Sequence, residues 1–288
     1  MMPETTATPA PLLLVDGFNL LWAGTLGFPA PIHSRDKTRE LTGLFAFFAL
    51  LRAAIRDDLD VTEPEVLVVF DGEHGSAERA ATDQEYKANR EATPKALKPL
   101  QFLAPVKDGL DAHGIRWTEV DDAEADDVIA TLATRAADSR PVLIMSRDVD
   151  YYQLLDARVR ILNRSRKSSR RIITADEVIT RFGVTPAQWP AFRALTGDKS
   201  DNIPGVRGIG PKVAATLLRD GMRLRDLPGS GRLTGAKGAA ITTAWADILR
   251  WEAMITAHRD LAVPVAPTGL ASPQLPKPAD VVDKLGLW

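Results

Sequence analysis

The sequence predicts an α/β fold in which a parallel sheet is covered by helices and followed by a smaller helical region. Residues 12–15 (LLLV), 66–70 (VLVVF) and 142–145 (VLIM) are short runs, apolar throughout and bounded by polar or turn residues. Such runs mark strands buried on both faces. Helical patterns lie between them, the alternation expected of a parallel sheet. After Thr174 no comparable strand run follows.

Taken in order, residues 38–55 read as an amphipathic helix between the first two strands. Helical patterns at 99–113 and 123–137 precede the third strand. Beyond it come helical segments at 175–182, 186–196, 212–219 and 237–258, with a mobile loop at 228–238 (PGSGRLTGAKG). The last 25 residues are Pro-rich and read as irregular. The boundary between the two regions falls near 175–185. The expected organisation is a disordered segment 1–10, an α/β domain 11–180, a helical DNA-binding subdomain 181–265 and a Pro-rich tail 266–288.

Composition sets weaker bounds. With 288 residues, 45% hydrophobic and 26% charged, the chain suits a globular enzyme of one large domain or two. The absence of Cys excludes disulfides, thiolate metal sites and a Cys nucleophile, and suits a reducing cytoplasm. The N-terminus MMPETTATPAP has neither the basic nor the apolar part of a signal peptide, and no apolar run reaches membrane-spanning length. A net charge of −2 neither announces nor excludes a nucleic-acid partner.

The acidic residues are more informative. The first strand ends in Asp16, the second in Asp71, and the third runs into Ser146, Arg147, Asp148, Val149 and Asp150. In an open parallel sheet, ligands bind in the crevice beyond the carboxyl ends of the strands. The segment DDAEADDVIATLA adds Glu124, Asp126 and Asp127, of which the first and last share a helix face. A second acidic pair, Asp198 and Asp201, sits in TGDKSDNIPG. Any one of these could be a turn former, a cap or a complement to a helix dipole. Together they repel by roughly 4 kcal/mol per close pair at an effective dielectric of about 20. Hard divalent cations would resolve that conflict, and paired cations are a standard arrangement for attack on a phosphodiester. His33, His74, His113 and His258 all lie outside the acidic motifs, so an all-oxygen site for Mg²⁺ or Mn²⁺ is expected.

VDGFNLLW, VVFDG, EYKANR, EADDVIATLA, SRDVDYYQLL and GDKSDNIPGVRGIGPKVAATLL occur in an order that resembles the bacterial 5′-nuclease family, across residues 11–220. That family includes the N-terminal domain of DNA polymerase I, phage 5′ nucleases and, more distantly, flap endonucleases. With no polymerase portion in the sequence, the chain resembles a stand-alone 5′-3′ exonuclease. The resemblance implies a PIN-like nuclease domain with a helical arch, then a helix–three-turn–helix subdomain. By motif position Asp16, Asp71, Glu124 and Asp126 match a first metal cluster. Asp148, Asp150 and Asp201 match a second, and Asp127 and Asp198 match further acids of the bacterial members. Lys87 and Arg90 match basic residues of the arch that reach the scissile phosphate, flanked by Arg79 and Lys95 as DNA contacts. Read alone, that strip is equally a solvated basic face.

After the first strand, at Asn19 and Trp22, the family usually carries an aromatic and an Arg near the substrate's 5′ end. This chain has Trp22–Ala23 and no Arg close by in sequence. The turn GVRGIG, with Gly205, Gly208 and Gly210 before Lys212, matches the element that grips duplex backbone, often with K⁺. Its glycines allow close backbone approach, and a helix N-terminus follows. RVRILNRSRKSSRR, residues 158–171 with seven basic side chains, is either a DNA contact or a solvated hairpin edge.

The implied function is a 5′-3′ exonuclease or 5′-flap endonuclease that hydrolyses DNA phosphodiesters by a two-metal mechanism in replication or repair. Its substrate is DNA with a 5′ end, flap or nick. The expected protein is a cytoplasmic monomer with a DNA polymerase and a ligase as functional partners. A non-catalytic flap-binding protein and an RNA-cleaving PIN nuclease remain the alternatives. The intact DVD and GDKSD motifs speak against the first, and the GVRGIG segment against the second.

Overall fold

The computed structural model describes residues 8–59, 63–89 and 93–288. The chain begins β1 (Leu12–Asp16), α1 (Gly17–Gly27), α2 (Thr42–Asp58), β2 (Glu65–Val69), α3 (Ala77–Thr82), α4 (Pro94–Leu97) and α5 (Leu103–Ala112). It continues with β3 (Arg116–Thr118), α6 (Ala125–Ala137), β4 (Val142–Met145), β5 (Val159–Leu162) and β6 (Ile172–Ile173). Helices then take over: α7 (Ala175–Phe182), α8 (Trp189–Thr196), α9 (Pro211–Leu218), α10 (Gly235–Thr243), α11 (Trp245–Ile255) and α12 (Pro278–Lys284).

The strands form one sheet in the order β3-β2-β1-β4-β5-β6. Every pair is parallel except β5 with β6. The strand order reverses at β1, between β2 and β4, so the crevice for a ligand opens at the carboxyl end of β1. Both faces of β1 are covered, as an all-apolar strand requires. Leu12 and Leu14 pack with α6 and the helices of the second region. Leu13 and Val15 pack with α1, α2, α5 and α12.

Three differences from the sequence reading have local causes. The edge strand β3 (RWT) and the outlying strand β5 (VRIL) carry polar residues and are too short to stand out as apolar runs. The helix expected at 38–55 starts at Thr42, because His33 and Glu40 close an antiparallel bridge ahead of it. The helix expected at 237–258 is divided at Ala244, where the backbone leaves the helical region, and its first part begins within the expected loop at Gly235.

Near residue 180 the two regions share one apolar core. Trp189 lies 4.9 Å from both Tyr152 and Phe182 and stacks on Phe192 at 5.4 Å. The tail expected to be irregular is so only to Lys277. It runs back across the sheet domain and ends in α12, whose Val281 and Val282 are fully buried against the α2 and α5 side. One short amphipathic turn among prolines left little periodic signal. The disorder expected for residues 1–10 falls mostly outside the described residues, but Ala10 is held, donating its N–H to Gly269 O at 2.9 Å. No described helix is long and apolar enough to cross a membrane.

Glu65 anchors that return strap. At the start of β2 and 1% exposed, it accepts from Thr268 N (2.7 Å), Gly269 N (2.9 Å) and the guanidinium groups of Arg116 and Arg140. Burial disfavours its charge, yet these donors hold the carboxyl below its usual range. Glu65→Ala strands Arg140, itself 4% exposed, without its charge partner. It should cost about 3–5 kcal/mol, read from urea unfolding. A loss below about 1 kcal/mol would mean that the strap contributes little.

Candidate active site

The acidic rim is built from strand ends. Asp16 closes β1 and caps α1, accepting from Asn19 N at 2.9 Å. Its other oxygen accepts from Ser146 Oγ at 2.9 Å, and Tyr151 Oη lies 3.4 Å away. Asp71, just beyond β2, accepts the Ala125 N–H at 2.7 Å and so fixes the start of α6. That contact delivers Asp126 to the same crevice. Asp148 accepts the Asp150 N–H at 2.9 Å in the turn after β4.

Burial and mutual repulsion govern this rim. Burial pushes the Asp16 carboxyl up to about 7, with Asp71 and Asp148 adding to the shift. Asp126 is raised well above its ordinary value by burial and then by Asp148 and Asp16. Asp150 is raised likewise by burial and then by Asp148, Asp198 and Asp201. Carboxylate oxygens of Asp150, Asp198 and Asp201 lie within 4.8 Å of one another. The acids thus form two adjoining groups, with Asp148 repelling members of both. An all-oxygen donor set of this density suits hard divalent cations.

The remaining acids already have partners. Glu124 accepts from Lys87 Nζ (2.6 Å), Tyr86 Oη (3.0 Å) and Arg79 Nη1 (3.1 Å). Asp127 is gripped by both Arg79 Nη groups, at 2.7 and 2.9 Å, and by the His258 N–H at 2.8 Å. Arg79 Nε also donates to Met254 O at 2.8 Å. Arg79 is therefore an internal clamp joining α3, α6 and the end of α11. Asp198 pairs with Arg193 and accepts from Ser200 N at 2.8 Å. Burial opposes its charge, but these contacts keep its carboxyl below the usual range.

Lys87 enters the acidic crevice from the segment after α3, with a left-handed φ of 54° and its N–H donated to Asp201 O at 3.1 Å. Its Nζ lies 4.0 Å from Asp201 Oδ1. Arg90 lies outside the described residues. Lys95 is exposed on α4, and Lys212 on α9. The three glycines of GVRGIG differ in kind. A Cβ on Gly205 (φ +66°) would meet Gly197 N at 2.3 Å, so this glycine serves packing. Gly208 and Gly210 face open space. In the 158–171 stretch Arg164 and Arg171 pair with Asp58, Arg166 with Glu177, and Arg158 donates to Asp138 O.

Two family models match the chain. One describes the 5′-3′ exonuclease N-terminal, resolvase-like domain and covers residues 11–183; the other describes the 5′-3′ exonuclease C-terminal SAM fold and covers residues 184–277. The chain belongs to the 5′-3′ exonuclease family. Thermostable DNA polymerase I of Thermus thermophilus is 39% identical over 217 residues, which is 75% of this chain and 24% of that protein. DNA polymerase I of Mycobacterium bovis is 33% identical over 271 residues, 92% of this chain and 29% of that protein. The chain therefore spans about a quarter of the length of these relatives. Bacteriophage T5 D15 flap endonuclease, solved as a pseudo-enzyme-product complex with DNA and metal ions, shares the fold. The TM-score is 0.67 at 19% identity, over 96% of this chain and 93% of that one.

In this member of the family several site neighbours escaped the sequence reading. Tyr151 directly follows the DVD motif and sits between Asp16 and Asp126, so its position was a usable signal. Arg147 is next to Asn19 in space, with its N–H and Nε donating to Asn19 Oδ1 at 3.2 and 3.3 Å. The sequence distance of 128 residues hid that pair. His74 stands beside Asp121 at 3.3 Å, in an exposed trio with Glu73, although no histidine was expected among acids.

The crowding has a pH signature in metal-free protein. Between the ordinary Asp value of 3.8 and the raised value in the folded state, the unfolded chain releases a proton that Asp126 keeps. Stability therefore falls as pH rises through that window. Asp126→Asn should melt above wild type in EDTA at pH 8, by roughly 2–4 °C for each kcal/mol regained. The gap should close as pH falls below 3.8, where the carboxyl becomes protonated in both states. Calorimetry showing the variant melting lower at pH 8 would contradict the crowding.

Proposed function

We propose that this chain hydrolyses DNA phosphodiesters at or near a 5′ end or flap, with two divalent cations held at the rim of the sheet. The observation that carries this reading is the convergence of buried carboxylates at the strand-order switch, in two groups that meet at Asp148. Asp16, Asp71, Asp126 and Asp148 would hold one cation. Asp150 and Asp201, with Asp148 shared and Asp198 beside them, would hold the other. Mg²⁺ or Mn²⁺ suits these hard oxygen donors. Cations bound there would lower the pKa of a coordinated water and offset charge on the phosphoryl oxygens.

The chain's own residues do the rest. Lys87 brings a positive charge to the rim, where charge develops on the phosphoryl group. Glu124, held by Tyr86 and Arg79, keeps that ammonium in place until a phosphate competes for it. The turn at Gly208 and Gly210, open on the side a Cβ would occupy, the start of α9 and the exposed Lys212 offer a backbone-phosphate grip, with K⁺ a candidate at the turn. Lys95 extends the positive face beside the arch. The T5 relative, solved with DNA and metal ions, supports a DNA substrate. A product with a 5′-phosphate suits a polymerase and a ligase as functional partners in replication or repair.

End-labelled flap, nicked and single-stranded DNA, incubated with Mg²⁺ or EDTA, test the reading directly. Release in Mg²⁺ alone is expected. Binding in both conditions with no release would make the chain a flap-binding protein. Asp148→Ala should abolish cleavage and keep or improve DNA affinity, since it removes a shared ligand and also a repulsive charge; near-normal turnover would end the two-cation assignment. Lys87→Ala should slow single-turnover cleavage by about 100- to 1,000-fold at saturating enzyme, with a much smaller change in affinity. If it cuts at the wild-type rate once saturated, Lys87 is only a DNA contact.

A further inference from the structure

A cleft of about 290 Å³ lies beside the acidic rim, between α1 and the turns after β4 and β5. Its floor is apolar, formed by residues such as Leu20 and Ala23, and Arg147, Arg164 and Ser165 stand at its edge. It shares two residues with the rim. Ser146 lines the cleft and donates to Asp16 Oδ2, while Asn19 lines it and donates its N–H to Asp16 Oδ1.

The two arginines are not equivalent. Arg164 is committed to Asp58 and serves as wall. Arg147 is pinned at its N–H and Nε by Asn19 Oδ1, which fixes the guanidinium plane. Among the described residues, no acceptor meets its two Nη groups. A fixed, exposed guanidinium with two free parallel donors matches a phosphate rather than a point cation. An apolar floor beneath it suits the sugar or base of the same unit, and the volume is at the lower end for small-ligand clefts, about 300 Å³.

We propose that this cleft holds one nucleotide of the cleaved strand, adjacent to the scissile phosphate, with Arg147 binding its phosphate and the floor of α1 receiving its sugar or base. The inference rests on the nuclease reading above. The phosphate could be a free 5′-terminal group or an internal phosphodiester, since both present the same paired oxygens. Because Asn19 touches both Asp16 and Arg147, occupation of the cleft would fix the strand relative to the acids.

Fluorescence anisotropy in EDTA, with 5′-phosphorylated and 5′-hydroxyl single strands across a salt series, tests this apart from cleavage. Arg147→Gln should weaken binding about ten-fold, as for a lost hydrogen bond to a charged group. It should also reduce the salt slope by about 0.7, one phosphate's worth on a single strand. Ala23→Leu fills the floor without touching a charge and should weaken binding with the slope nearly kept; Arg147→Gln stands alone if that variant does not fold. Loss confined to the 5′-phosphorylated strand assigns the cleft to a terminal phosphate, and equal loss on both assigns it to an internal one. If wild type binds and cuts while both folded variants bind as wild type does, the cleft proposal is overturned and the nuclease reading stands. If wild type neither binds nor cuts DNA, both fall.

Discussion

Carboxylate crowding at the end of β1 is the constraint on which the rest of the site depends. β1 is hydrogen-bonded between β2 and β4, so the acids that follow these strands cannot separate without breaking the sheet. The protein meets the repulsion in two ways. Glu124, Asp127 and Asp198 are given fixed cations of their own in Lys87, Arg79 and Arg193. Asp16, Asp126 and Asp150 are instead pushed toward protonation, by burial first and then by one another. That division is chemically informative. Acids with built-in counterions are already compensated in part, whereas those raised by their neighbours have a standing deficit that a divalent ion would fill.

The same constraint couples the two halves of the chain. Asp150 comes from the sheet domain, and Asp198 and Asp201 from the loop after α8, yet their oxygens are within 4.8 Å of one another. Such a group holds together only if the domains stay packed. The aromatic seam of Tyr152, Phe182, Trp189 and Phe192 supplies apolar adhesion close behind the acids. Arg79 adds a polar lock by joining Asp127, Glu124 and the Met254 carbonyl. On the far side, Glu65 and α12 tie the end of the chain back over the sheet. Loss of the seam or the lock would therefore be felt at the acids as well as in stability.

The sheet and its acids were readable because parallel strands buried on both faces leave continuous apolar runs, and an Asp stands at the end of β1 and shortly after the ends of β2 and β4. The family motifs then fixed the order of the parts. What escaped was whatever depends on side-chain pairing over long sequence distances. Arg79 reads in sequence as one of a basic strip, and only the fold brings Asp127 and Met254 O to it. Asn19 and Arg147 meet in the same way. β3, β5 and α12 escaped because each is short and carries polar residues, so tertiary packing rather than local pattern decides them. Gly205 and Gly208, alike in sequence, are separated only by what surrounds each Cα.

These pairings also bear on how the protein meets DNA. The seven basic residues of 158–171 suggest a broad positive surface, but four of them are spent on Asp58, Glu177 and Asp138 O. With a net charge of −2 the long-range field toward a polyanion is weak. On the proposed reading, grip then falls to a few local donors: the amides near Gly208 and Gly210, Lys212, Lys95 and Arg147. Each phosphate so bound adds roughly 0.7–0.9 to the salt slope, so the dependence should be shallow compared with proteins making many contacts. Shallow electrostatics favours recognition by shape and by cation-dependent capture at the rim over tight binding along a duplex. A nuclease that must release its product gains from that arrangement, since affinity concentrated at the reacting phosphate is lost once the phosphodiester is cut.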